Sequence, residues 1–340
     1  MKKKHLLWSL TALILILLLS ACGEKSKQDV VDSLEQKVEE MDGYKAQAKM
    51  NLKTGEEVQS YEIDVWHKKK DFYRVQLNNP NSEKGNQIIL RNNEGVFVLT
   101  PALNKSFKFQ SEWPDNTSQP YLYTSLVNDI LKDKEAEFKK TDNHYVFTTK
   151  TNYQSNKNLP TQEIYFDKKT FKPVMVKVFD KDFTALVEIQ FSAFEFDPEF
   201  AEDDFDTKKN LTSSIAEVPA MASAEDQSLT VLYPLYQPEG TSLAAKKEVE
   251  FENGQRVILT FEGEKNFTLI EEKYTTYPTS LSQPVSVKGE PVDLGFTIGA
   301  MTEKTLEWSH NNTRFYLASE DLTREEMIQV ASSVEGKEMK

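Results

Sequence analysis

Cysteine is almost missing from this chain: Cys22 is the single one in 340 residues, and it closes the N-terminal hydrophobic stretch instead of lying in the body. No intramolecular disulfide is possible, so stability must come from core packing, which a chain of this length can supply. Histidine is scarce too, at four residues. His67, His144 and His310 fall on or beside strand-like segments without a partner at metal-ligand spacing, which gives them packing or surface roles. GxSxG, HExxH and a glycine-rich phosphate loop are all missing. These absences argue against catalysis, leave no cofactor implied, and keep a wall or lipid hydrolase only as a disfavoured alternative. Positive charge is in deficit, with a formal net charge of -13. Nucleic acid is thereby excluded as a partner, because counterion-release binding needs a basic face. Anionic headgroups repel such a surface within a Debye length of about 8 Å, so membrane attachment requires something other than charge.

One long hydrophobic run is present. Met1-Lys2-Lys3-Lys4-His5 precedes Leu6 to Ala21, which is broken only by Ser9, Thr11 and Ser20. As a helix this run spans about 24 Å at ~1.5 Å per residue, short of a ~30 Å hydrocarbon core, so it reads as a signal peptide over 1–21. Leu19-Ser20-Ala21-Cys22 resembles the lipobox of bacterial lipoproteins. That resemblance implies cleavage before Cys22 and diacylglycerol on its thiol, holding the chain on the extracytoplasmic face of the cell membrane. Two acyl chains anchor stably where one gives marginal binding. Residues 22–27 then form the lipidated tether.

Helical spacing of Val30, Val31, Leu34, Val38 and Met41 predicts an amphipathic helix stopped at Gly43. Beyond Gly43 most of the chain alternates with period two. Tyr61, Ile63 and Val65, then Tyr73, Val75 and Leu77, mark half-buried strands, and further strands are expected through Phe109. A second helix is expected where Tyr123, Leu126, Val127, Ile130 and Leu131 share a face. Strands resume from Tyr145, ending in a run from Phe183 to Phe196 in which Phe183, Ala185, Val187, Ile189 and Phe191 share one face. A strand of that length implies a strongly curved sheet. The seven acids between Glu195 and Asp206 are expected to form a solvated edge rather than a Ca²⁺ loop, since they lack the glycine and ligand order of one. Residues 207–228 form the linker between a first domain, 28–206, and a second, 229–340. Strands there are expected at Leu229 to Tyr236, Arg256 to Phe261, Phe267 to Lys273, Val292 to Phe296, Leu306 to Trp308 and Thr313 to Leu317. A terminal helix carries a capping box at Thr323 and Glu326.

Four segments carry a family resemblance: Val65 to Leu77 (VWHKKKDFYRVQL), Gln87 to Phe109 (QIILRNNEGVFVLTPALNKSFKF), Tyr121 to Leu131, and Thr161 to Asp180 (TQEIYFDKKTFKPVMVKVFD). With them, residues 28 to about 206 resemble the LolA-like proteins, whose fold also forms the large domain of RseB-type periplasmic sensors. Residues 229 to 335 resemble a C-terminal domain recurring in Firmicute lipoproteins. The whole looks like the sporulation-associated branch of spore-forming Firmicutes, some members of which support germination by partnering cell-wall enzymes. The resemblance implies an α+β, mainly β fold: an unclosed antiparallel barrel with helices across its concave face, then a smaller antiparallel sheet with one C-terminal helix. It also implies an apolar cavity. Phe97, Leu99, Phe107 and Phe109, with Leu126 and Ile130 from the covering helix, are the expected lining of a groove for an acyl chain or apolar peptide. A tethered protein that binds an envelope or cell-wall protein, or a lipid, is therefore the expected function, with local transfer of acylated cargo as the alternative.

Overall fold

The computed structural model describes residues 25–334 except 55–56, 70, 81–85, 102–104, 110–112, 116–117, 154–158, 212–228, 230, 252–253, 275–284, 288, 295–296 and 311–312. The leader and Cys22 lie outside the described residues. Helix α1 (Lys27–Glu40) opens the fold with a capping box in which Ser26 and Asp29 satisfy each other's backbone amides. Six strands follow: β1 (Gly43–Thr54), β2 (Glu57–Lys68), β3 (Phe72–Asn78), β4 (Gln87–Asn92), β5 (Gly95–Thr100) and β6 (Lys105–Phe109). Helix α2 (Tyr123–Lys132) separates them from β7 (Glu137–Lys140), β8 (His144–Lys150), β9 (Thr161–Asp167), β10 (Pro173–Phe179) and β11 (Ala185–Phe196).

These strands form one large sheet ordered β6-β5-β4-β3-β2-β1-β11-β10-β9-β8-β7, two up-and-down meanders joined where β1 pairs with β11. The two ends do not meet, so the barrel stays open. Bulges at Gln47/Ala48 and Val178/Phe179 bend the long central strands. On the inner face Tyr44, Ala46, Met50, Ile63, Val65, Val75, Val98, Val176 and Ile189 are buried in one core with Val30 and Leu34 of α1 and Tyr123, Leu126, Val127 and Ile130 of α2. Each fully buried aliphatic contributes roughly 1.5–3 kcal/mol, which fixes the strand register because a one-residue slip would expose the whole set.

Strand β1 gives little signal in sequence, because Ala46 and Ala48 occupy inward positions where larger side chains would announce a strand. They are small for a reason: Tyr44 and the ring of Phe194, 5.1 Å apart and stacked, already fill the neighbouring space.

The second sheet comprises β12 (Thr241–Phe251), β13 (Gly254–Gly263), β14 (Phe267–Tyr274), β16 (Glu290–Asp293), β17 (Ile298–Met301), β18 (Thr305–His310) and β19 (Thr313–Ala318), ordered β12-β13-β14-β19-β18-β17-β16. Helix α3 (Arg324–Ser332) follows, and Thr323 and Glu326 form the capping box that their spacing predicts. β12 and β17 fall where no strand was expected, and two further features differ from expectation. Leu229 and residues 231–236 are not in a strand; 231–236 form a strap pinned by Leu232 N–H on the Glu271 carboxylate and by a bridge between Pro234 and Val334. Strand β15 (Val285–Val287) leaves the second sheet and pairs in parallel with β6, extending the first.

Candidate functional site

Strand β5 is buried on both faces, and this decides where the expected groove residues go. Val96 and Val98 point inward, so alternation turns Phe97 and Leu99 outward. There they form a separate cluster with Ile88, Leu90, Phe205 and Leu211. The covering segment runs across the outer face from the end of β11. Arg74 Nε donates to Asn210 Oδ1 at 2.6 Å and Asn92 Nδ2 to the Phe205 carbonyl at 2.9 Å, so polar contacts hold the strap at both sides of its apolar centre. The acidic run thus turns most of its carboxylates to solvent while Phe200 and Phe205 pack down onto the sheet. Alternating acids and aromatics across 195–206 were the available signal for this arrangement.

Phe107 and Phe109 face the inner side, paired with Val98 and Val96. Opposite them is not open space but the second sheet. Together with Gln87, Val98 and Thr100 of the first sheet and Ile298, Ala300 and Trp308 of the second, they surround a cavity of about 20 Å³. Such a volume holds about one water molecule. Gln87 Oε1 accepts a hydrogen bond from Ile298 N–H at 3.1 Å across this seam, and the indole of Trp308 stacks on Phe315 with centroids 5.0 Å apart. Leu126 and Ile130 lie in the continuous core and do not line that space. The six residues are therefore not one groove: two face outward, two meet the second sheet, and two, on α2, pack into the main core.

A buried polar network lies at the C-terminal end of α2. Ser118 Oγ and Gln162 Nε2 each donate to Asp129 Oδ2 at 2.7 Å, and Asn152 N–H donates to Ser118 Oγ at 2.6 Å. Burial raises the Asp129 carboxyl, and the two side-chain donors oppose that rise. The network joins α2 to β9 and to the segment that follows β8. Among the histidines, His67 is buried, stacks on Tyr73 at 4.3 Å and contacts the Phe72 carbonyl through Nδ1 at 3.1 Å. Burial lowers it to about 4, and does the same to His310. Both are neutral packing groups at neutral pH. Among the described residues no three His, Cys, Asp or Glu side chains group as metal ligands, and no helix is long and apolar enough to cross a membrane.

An open antiparallel sheet with helices on its inner face and a second sheet against one end defines a mainly β protein of the open-barrel class. A family model described as sporulation protein YdcC-like matches residues 2–205. A Bacillus subtilis (strain 168) protein, "Sporulation protein YdcC", is 49% identical over 338 residues, covering 99% of each chain. The chain belongs to the YdcC-like family of sporulation proteins. Solved structures with weaker likeness include the MucA/MucB complex of Pseudomonas aeruginosa, at 14% identity and TM-score 0.34 over 91% of this chain and 99% of that one. A LolA superfamily protein from Nitrosomonas europaea shows 11% identity and TM-score 0.31 over 52% of this chain and 98% of that one. The CwlD amidase of Clostridioides difficile in complex with the GerS lipoprotein gives 16% identity and TM-score 0.24 over 51% of this chain and 97% of that one.

Proposed function

We propose that the protein is a noncatalytic envelope lipoprotein, tethered to the outer face of the cell membrane by diacylglycerol on Cys22, which serves sporulation or spore germination by binding a protein partner. Membership of a sporulation family supports the sporulation role. The lipobox at Leu19 to Cys22 supports the tether, and the lack of an enzyme motif supports a binding role. In this proposal residues 1–21 are the signal peptide, 22–27 the tether, 28–206 the first domain, 207–228 the linker and 229–340 the second domain, with β15 crossing back to the first sheet.

The observation that favours a protein partner over acyl cargo is the seam. Where Phe107 and Phe109 would have lined a groove, Ile298, Ala300 and Trp308 leave about 20 Å³, whereas pockets for drug-sized ligands run from about 300 Å³ upward. Native mass spectrometry of the mature chain released from detergent tests this choice. The expected spectrum carries the mass of the chain and its own N-terminal modification alone. A further phospholipid or acyl mass retained at stoichiometric level would favour the lipid chaperone instead.

A further inference from the structure

Helix α2 ends at Lys132, and the stretches 132–135 and 150–152 beside that end wall a surface pocket of about 480 Å³. This volume lies within the range of about 300–1,000 Å³ found for small-molecule sites. Every residue lining it is charged or polar: three acids, three lysines, a threonine and an asparagine. Such a lining suits a small polar ligand and penalises an acyl chain, which would desolvate these groups without pairing them.

Three of the six charges are satisfied within the protein. Asp133 ties the two walls together, its Oδ2 accepting Lys150 N–H at 2.9 Å and the Thr149 hydroxyl at 3.1 Å, and its Oδ1 accepting Glu135 N–H at 3.1 Å. Glu135 and Lys150 form an ion pair with each other. The walls are therefore set before any ligand arrives.

Asp129, Lys132 and Lys134 are the other three. Asp129 is 5% exposed, and both of its donors, Ser118 Oγ and Gln162 Nε2, bond to Oδ2. Its Oδ1 accepts no hydrogen bond among the described residues. The amide of Gln162, fully buried beside it, has an Oε1 that is also without a partner. A buried carboxylate near the negative end of a helix is costly unless a cation meets it. Lys132 acts on Asp129 through space without forming an ion pair. Joining α2 to β9 uses only the oxygen that takes the two donors, so the second is left for a donor from outside the chain. Lys132 and Lys134 are exposed and form no ion pair among the described residues.

We infer that this pocket binds a small zwitterion of the amino-acid type, free or as a short peptide, with its ammonium on Asp129 Oδ1 and its carboxylate on Lys132 and Lys134. The balance of three acids and three lysines matches a ligand that is neutral overall. The site needs neither the tether nor the protein partner proposed above. Its rim at Lys132, Lys134, Glu135 and Asn152 is exposed, so the ligand exchanges with solvent and its binding is read in solution.

Ligand-observed NMR titration of the mature chain with L-alanine and with L-alanyl-L-alanine tests it. Saturable binding is expected, and the tighter probe sets the length of the ligand. N-acetylation of that probe, which removes the ammonium, should abolish binding; amidation, which removes the carboxylate, should weaken it roughly 2–5-fold. Asp129→Asn keeps an oxygen for Ser118 and Gln162, so it should hold the parent Tm and weaken binding by about tenfold or more. Lys132→Ala with Lys134→Ala, at exposed positions, should weaken the probe roughly 2–5-fold and leave its amide unaffected. No saturable binding of either probe, equal binding of the acetylated form, or binding that survives Asp129→Asn overturns the inference. Tighter binding of glycerophosphoethanolamine than of both probes overturns it too, in favour of a lipid headgroup. Should Asp129→Asn lower Tm, the contrast between the free and acetylated probes on the parent chain decides.

Discussion

Tyr123→Ala is expected to destabilise the protein by about 3–5 kcal/mol, a large share of the 5–15 kcal/mol that keeps a typical domain folded. Tyr123 is fully buried at the start of α2, with the rings of Tyr44, Phe166, Phe194 and Phe196 at centroid distances of 6.1, 6.1, 5.4 and 5.5 Å. These rings come from β1, β9 and β11, so the cavity left by truncation would open where the two meanders join. Tyr123→Phe should behave oppositely. The Tyr123 hydroxyl is buried with no hydrogen-bond partner among the described residues, and burial raises its pKa strongly. Removing that oxygen keeps the ring contacts and relieves a desolvation cost, so the variant should be neutral or up to about 2 kcal/mol more stable. Urea midpoints of the three proteins check both signs.

The second large effect is in pH. Glu271, fully buried on β14, accepts Leu232 N–H through Oε2 at 3.0 Å and Oε1 at 3.2 Å, and burial raises its carboxyl to about 8. Its folded value lies above the unfolded one of 4.5, so its favourable contribution is complete at low pH and is lost as pH rises from there toward 8. His67 and His310 act in the other direction. Their folded values near 4 lie below the unfolded 6.5, so their contribution is complete above 6.5 and lost as pH falls toward 4. Between these limits the unfolded chain holds two histidine protons against one on folded Glu271, and stability rises with pH. Above about 6.5 only the Glu271 proton differs, and stability falls. Unfolding midpoints should peak near pH 6.5. Glu271→Gln should remove the decline at higher pH, gaining on the order of a few kcal/mol at pH 8 relative to the parent chain. A parent midpoint that keeps rising from pH 6.5 to 8 contradicts the assignment.

Much of the first sheet was legible in residues such as Tyr61, Ile63 and Val65, whose alternation with polar neighbours gives both the strand and its inward face. β1 was not, since Ala46 and Ala48 carry too little hydrophobic contrast to register. The strap 231–236 misled for the reverse reason: Val231 and Leu232 pack on the core, yet Leu232 N–H bonds to a buried carboxylate instead of a neighbouring strand. Periodicity sees the packing and not the bonding partner.

The candidate groove shows a different limit. In β5 every residue from Val96 to Thr100 is buried, and when both faces are apolar nothing in the chain says which one meets the helices. Phe97 and Leu99 went to the face that the 200–211 segment covers, a contact made across more than a hundred residues. Phe183 was placed with Ala185 and Val187 on one strand face, but Asp180 ends β10 in a turn whose hydrogen bonds carry Phe183 out of the strand. The capping boxes at Ser26 and Thr323 show what local chemistry fixes well, because both partners lie within one turn of helix.

The anchor is tested most directly by the mass of the N-terminal peptide from the protein extracted out of membranes. A peptide beginning at Cys22 and carrying diacylglycerol on its thiol is the predicted result. An N-terminus at Met1, or an unmodified Cys22, would contradict the tethered protein proposed here.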